Sequence, residues 1–287
     1  MPRICYVNGR YALFSQASVH VDDRAFTLSD GVYEVTAVRQ GQLVDLDWHL
    51  DRLEYSLGEL QIAMPMSRKA LAHVSRQVVL RNRVSHGILY TQITRGVAPR
   101  DHAFPNPAVR PGFVSWAKSK PDNPASVLQS GVKVKSQRDL RWARRDIKST
   151  SLLANVLMKQ AALEDGGYES MQVDDDGMVT EGASTNFWMV DAEGTLVTRP
   201  LSNAILSGIT RKRLIALAKD QGITVEERLF SLEEAKAARE VFFTSTTNFC
   251  MPVVQIDDHV IANGAPGSVA GALYSAYIEF AADAGLS

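Results

Sequence analysis

The most constraining feature of this sequence is a polar stretch from Lys118 to Ser126, which reads Lys-Ser-Lys-Pro-Asp-Asn-Pro-Ala-Ser. Pro121 and Pro124 donate no backbone hydrogen bond and push the residues before them into extended conformations, so neither a long helix nor a central strand runs through this stretch. It reads as a linker. A chain of 287 residues lies at the size where single cores stop growing, so a division is expected here. The expectation is an N-terminal α+β domain over 1–118, a linker over 119–126, and a C-terminal α/β domain over 127–287.

Each half carries its own periodic pattern. Asn8-Gly9 centres a hairpin over 4–14, and Val32 to Val38 alternates before turning at Gln40-Gly41-Gln42. Asp47 is placed to cap a helix bearing Leu50, Leu53, Leu57 and Leu60, and Ser67 to cap one bearing Leu71, Val74, Val78 and Val79. Gly87–Thr94 and Gly112–Ala117 read as strands. In the second half a short strand around Val132 and Val134 precedes a helix over about 149–165. Strands follow at Glu169–Val173, Thr185–Val190 and Thr195–Thr198. Gly208 opens a helix, Ser231 with Glu234 forms a capping box, Val241–Thr244 reads as a strand and Pro266–Ala284 as a helix. The mixture gives an α+β class.

Several functions are excluded early. Formal net charge is −1 and no basic run is long enough to follow nucleic acid or an anionic membrane. No apolar stretch approaches the roughly 20 residues that span a bilayer. The six histidines lack metal-ligand spacing, and no Walker loop, dinucleotide fingerprint or Cys-x-x-Cys is present. Cys5 and Cys250 are read as two free thiols in a reducing, cytoplasmic setting.

Four segments hold residues with chemistry to offer. Arg144-Arg145-Asp146-Ile147-Lys148-Ser149 sets a lysine among cations and just ahead of the expected helix, two conditions that disfavour an ammonium. Thr180-Glu181-Gly182-Ala183-Ser184-Thr185-Asn186 puts a carboxylate in a tight segment. Gly208-Ile209-Thr210-Arg211 opens a helix, and Thr244-Ser245-Thr246-Thr247 follows a strand; both offer N–H and hydroxyl donors to an anion. Taken singly, each is also what an ordinary polar loop or helix cap carries.

Together, in this order and spacing, they resemble the fold-type IV pyridoxal-phosphate enzymes, and within them the D-amino acid aminotransferases. The resemblance implies two domains with pyridoxal 5′-phosphate at their junction and a homodimer. It implies that Lys148 is the Schiff-base lysine and that Glu181 pairs with the pyridine nitrogen. Arg52, Ile209, Thr210, Ser245 and Thr246 would hold the phosphate. Gly31-Val32-Tyr33-Glu34-Val35 and the segment Thr94 to His102 are similar to those that bind the substrate α-carboxylate, which assigns Tyr33, Arg100 and His102 to that task. The activity implied is amino transfer between D-amino acids, such as D-alanine and D-glutamate, and 2-oxo acids such as 2-oxoglutarate. A lyase of the aminodeoxychorismate type, an (R)-amine or branched-chain transaminase, and a cofactor-binding protein without turnover are the alternatives. Arg145 and Asn248-Phe249-Cys250 have no assigned role.

Overall fold

A computed structural model describes residues 3–283 of the chain. The chain divides into two compact units. The first comprises the chain up to Pro121, Ile147–Ser151 and the residues from Ala281 on; the second comprises Asp122–Asp146 and Leu152–Phe280. Lys148 therefore belongs to the first unit, although the sequence reading carried it with the C-terminal half. The reason is visible in its neighbours. Ile147 is buried in the first unit's apolar cluster, and Ser149 bridges to Val32.

The first unit contains β1 (Ile4–Val7), β2 (Arg10–Leu13), α1 (Arg24–Leu28), β3 (Gly31–Arg39), β4 (Gln42–Leu43), α2 (Leu46–Glu59), α3 (Arg68–Arg81), β5 (Gly87–Thr94) and β6 (Gly112–Ser119). Its six strands form one antiparallel sheet in the order β2-β1-β6-β5-β3-β4. Leu50, Leu53 and Leu57 of α2, and Leu71, Val74 and Val78 of α3, bury one stripe each in the cluster that includes Val32, Leu89, Ile93 and Phe113. Ser67 caps α3 through Ala70 N as expected, whereas α2 starts two residues earlier than the sequence suggested, with Asp45 at its N-cap position in a left-handed conformation.

The second unit contains α4 (Ala125–Ser130), β7 (Val132–Arg138), α5 (Leu153–Glu164), β8 (Glu169–Val173), β9 (Val179–Gly182), β10 (Asn186–Val190), β11 (Leu196–Thr198), α6 (Ile209–Asp220), β12 (Val225–Glu227), α7 (Leu232–Ala237), β13 (Glu240–Ser245), β14 (Phe249–Ile256), β15 (His259–Val260) and α8 (Ser268–Asp283). Its strands make a mixed sheet in the order β12-β11-β10-β13-β14-β7-β8-β9, with β15 on β14. Most are buried on both faces, so β10, β13 and β14 read as largely apolar runs rather than alternations. The capping box of Ser231 and Glu234 forms at α7. Ala284, the last residue of the expected C-terminal helix, lies outside the described residues.

One sequence expectation changes in a way that matters for function. The helix after Lys148 begins at Leu153, not at Ser149. Ser149 pairs with Val32 in an isolated bridge instead, and Leu152 takes the N-cap position. Thr150 N donates to Gly31 O at 2.9 Å, and the Thr150 hydroxyl donates to Ser29 O at 2.8 Å. Tertiary pairing overrides a helical pattern here.

Candidate functional site

In the first unit the site is built on β3. Side chains alternate faces along a strand, so Tyr33 and Glu34 point to opposite sides of the sheet. Tyr33 N donates to Lys148 O at 3.0 Å, and Lys148 N donates to the Ser56 hydroxyl at 3.2 Å. The Lys148 Nζ then lies 4.3 Å from the centre of the Tyr33 ring. Among the described residues, that half-buried ammonium has no carboxylate or hydrogen-bonding partner. The cations beside it in sequence are themselves paired: Arg144 with Asp146 at 2.8 Å and Arg145 with Asp139 at 3.2 Å. Tyr33 stacks on Tyr90, which stacks on Trp116, with ring centres 5.7 and 5.1 Å apart. Burial pushes the Tyr90 phenol up to about 12, so it stays neutral in that stack.

On the other side of the sheet, Glu34 is buried beneath α2. Arg52 grips it with Nε and Nη2 at 2.8 and 2.7 Å, and His49 Nδ1 lies 2.7 Å away. Burial alone would raise this carboxyl, but attraction to Arg52 and hydrogen bonds from Arg52 and His49 outweigh it and hold the pKa at about 2. Arg52, expected as a phosphate ligand, is thus locked in orientation by Glu34. Arg100 and His102 are exposed on the loop between β5 and β6. The structure brings Tyr33 and Lys148 together; among the described residues, Arg100 and His102 make no side-chain hydrogen bond or ion pair.

In the second unit the candidates converge. Glu181 on β9 is 4% exposed. It accepts from the Asn186 amide and from Leu206 N, both at 3.0 Å, and Asn186 also donates to Leu206 O at 3.1 Å. Leu206 lies just ahead of Gly208, the N-cap of α6, and no side chain caps that helix. A Cβ on Gly208 would sit 2.0 Å from Asn186 Oδ1, so only glycine allows this approach. Asn186 pairs with Thr244 across β10 and β13, which sets the turn after Ser245 at the same edge of the sheet. Asn248 N donates to the Ser245 hydroxyl at 3.2 Å and tightens that turn.

Arg141 is the residue that sequence reasoning missed. It lies seven positions ahead of Lys148 in a stretch that also holds Arg144 and Arg145, and no motif marks it. Its Nη1 contacts Glu181, while Nε and Nη2 hold Asp139 at 2.9 and 2.7 Å. Asp139 also takes the Thr180 hydroxyl at 2.7 Å. Burial works to raise both acids. Asp139, with the greater share of Arg141, ends below the ordinary range, while burial pushes Glu181 above it against the single Arg141 contact.

These features suit pyridoxal phosphate. An uncapped helix N-terminus with a glycine cradle and nearby hydroxyls offers the donors that an anion needs. A buried carboxylate short of positive charge fits a protonated pyridine. An unpaired amine over an aromatic ring fits the aldehyde.

The comparisons with known proteins agree. The family model of the class IV amino-transferases matches residues 31–256. The chain is 37% identical over 277 residues to D-alanine aminotransferase of Staphylococcus haemolyticus, covering 96% of this chain and 97% of that one. It is 38% identical over 260 residues to D-alanine aminotransferase of Bacillus licheniformis, covering 91% of this chain and 90% of that one. Among solved structures, a branched-chain amino acid aminotransferase of Escherichia coli superimposes with a TM-score of 0.90 at 24% identity, covering 97% of this chain and 94% of that one. A hypothetical aminotransferase of Mycobacterium tuberculosis in its PLP-bound form gives 0.81 at 19% identity, covering 96% and 99%. The chain belongs to the class IV aminotransferases, which use pyridoxal phosphate. No helix among the described residues is long and apolar enough to cross a membrane.

Proposed function

We propose that this chain moves an amino group between D-amino acids and 2-oxo acids, with D-alanine and D-glutamate as donors and 2-oxoglutarate as an acceptor. The observation that carries this reading is the chain of hydrogen bonds from Glu181 through Asn186 and Leu206 to the uncapped start of α6, which ties a ring-nitrogen partner to an anion cradle. The relatives named above supply the donor class.

Bound pyridoxal phosphate supplies an electron-withdrawing ring that makes the substrate Cα–H acidic. Lys148 holds the group covalently through Nζ. With the substrate amine in place, Lys148 Nζ would take the Cα proton as a base and deliver it to the bound group as an acid. Glu181 holds a proton at the ring nitrogen. A carboxylate with a single cationic contact is still costly in so buried a place, and a pyridinium relieves that cost, so burial becomes affinity for the protonated ring. Arg52, the first N–H groups of α6 at Ile209 and Thr210, and the hydroxyls of Ser245 and Thr246 hold the phosphate. Tyr33, Arg100 and His102 hold the substrate carboxylate; with that end anchored and Nζ on one face, only one enantiomer presents its Cα–H to the base.

The active form is a homodimer. On α5, Leu153, Val156 and Leu157 form one stripe yet are 73%, 58% and 62% exposed, an apolar face that a second copy would cover. Cys5 and Cys250 are free and buried, which suits a reducing cytoplasm. Borohydride reduction of the loaded enzyme followed by peptide mass analysis should find the pyridoxyl group on Lys148. A label on Lys159 or another lysine overturns the assignment. Light scattering should give twice the chain mass, and Leu157→Glu should give a monomer.

A further inference from the structure

The loop between β5 and β6 carries Arg100 and His102 in the open, yet its base is unusually constrained. Gly96 takes φ +110°, and a Cβ there would lie 2.1 Å from Arg110 O, so the two ends of the loop are pinched together. Val97 bridges to Asp23, Arg24 N donates to Gly96 O at 3.0 Å, and the Thr94 hydroxyl donates to Asp23 at 2.9 Å. This closes an Ω-type loop, whose tip would otherwise be the mobile part.

Beneath it, one carboxylate serves two buried arginines. Asp30 takes Arg24 Nε at 2.8 Å and Arg95 Nε and Nη2 at 2.7 and 3.0 Å. The guanidinium donors left over do not go to another acid. Arg95 turns to the carbonyls of Leu60 and Gln61 at 2.7 and 3.1 Å, and its face lies 3.7 Å from the centre of the Phe104 ring. Arg24 Nη1 reaches out to Asp101 O at 2.6 Å. Asp101 is the residue between Arg100 and His102, and Phe104 follows two positions later. Each arginine thus hands one contact to the loop's outer part, one between the two side chains and one just beyond them.

We infer that Arg24 and Arg95, anchored together on Asp30, are positioning residues that aim Arg100 and His102 at the substrate carboxylate. The inference rests on the carboxylate role proposed for those two residues. A charged donor fixed on a backbone carbonyl removes the freedom of the peptide between them, and the Phe104 ring stops the loop from lifting. Preorganisation of this kind lowers the cost of ordering the loop when substrate binds, so its loss appears in KM for carboxylate-bearing substrates.

Phe104 is 53% exposed, so its replacement leaves the core intact. In the loaded enzyme, Phe104→Ala should raise KM for D-alanine and 2-oxoglutarate about 2- to 5-fold, with kcat, thermal midpoint and pyridoxal phosphate affinity unchanged. Phe104→Tyr keeps a ring over Arg95 and should restore the wild-type KM. Arg24→Met should raise KM about tenfold or more, because a charge-assisted hydrogen bond is lost. Arg100→Ala is run in parallel. If Arg100→Ala raises KM while Phe104→Ala and Arg24→Met do not, the positioning role is overturned and the carboxylate role stands. If Arg100→Ala leaves KM unchanged, both fall. A lowered thermal midpoint without a KM change would assign the cluster to stability alone and also overturn the inference.

Discussion

Glu34 and Glu181 are both buried carboxylates held by an arginine, and the physics treats them oppositely. Glu34 has Arg52 gripping it through two nitrogens and a histidine besides, and sits near 2. Glu181 receives one nitrogen of Arg141, which spends two on Asp139, and burial leaves it high. The number of cationic donors per carboxylate separates them, since burial is nearly equal. A carboxylate with a full complement of donors is a locked strut, and it fixes Arg52. A carboxylate left short of positive charge keeps an appetite for a proton, and that is the one beside the anion cradle.

The contrast can be broken by substitution. Glu181→Gln should slow turnover by two to four decades while leaving folding nearly intact, because a neutral amide no longer favours a protonated ring. A steady-state assay with D-alanine reads this, and wild-type turnover would erase the distinction. Glu34→Gln should do the reverse. It strands a buried guanidinium, so it should cost about 3–5 kcal/mol in denaturant unfolding and weaken pyridoxal phosphate binding through Arg52. At saturating cofactor its kcat should stay within a few-fold of wild type.

Acid should reveal Glu34 without any mutation. Its folded pKa is depressed from 4.5 to about 2, so its stabilisation is present above pH 4.5 and is lost as pH falls through that interval. The loss is on the order of 3 kcal/mol, and urea midpoints measured between pH 5 and 2.5 should fall more steeply in wild type than in Glu34→Gln. The smallest effect sharpens the role of Arg141. Asp139→Asn should release Arg141 toward Glu181 and lower that carboxyl, which reduces turnover about tenfold or less and moves the acid limb of the kcat–pH profile to lower pH.

Part of this was legible in the sequence. Asn8-Gly9, Ser67 and the Ser231–Glu234 pair each act through neighbours within a few residues, and each formed the expected hairpin or cap. β9 and β14 were not read as strands. β9 is buried on both faces and ends on a glycine, and β14 holds Pro252 opposite Phe242 in the sheet interior, where a proline argues against a strand. Leu153, Val156 and Leu157 of α5 stand at helical spacing and are exposed, because periodicity shows that a face is apolar but not what covers it. Lys148 and Glu181 were singled out through motifs in register. Arg141 was not, since the carboxylate it serves lies 40 positions along the chain and no local pattern links the two.

The central proposal is that Lys148 removes the Cα proton of a D-amino acid while Glu181 holds a proton at the ring nitrogen. The most direct test follows that proton by NMR, as the loss of the Cα–H signal of alanine in D2O with pyridoxal-phosphate-loaded enzyme. Wild type should exchange D-alanine and leave L-alanine untouched, Glu181→Gln should slow the exchange by at least about a hundredfold, and Glu34→Gln should stay close to wild type. Exchange of L-alanine in preference to D-alanine, or equal losses in the two glutamate variants, would contradict it.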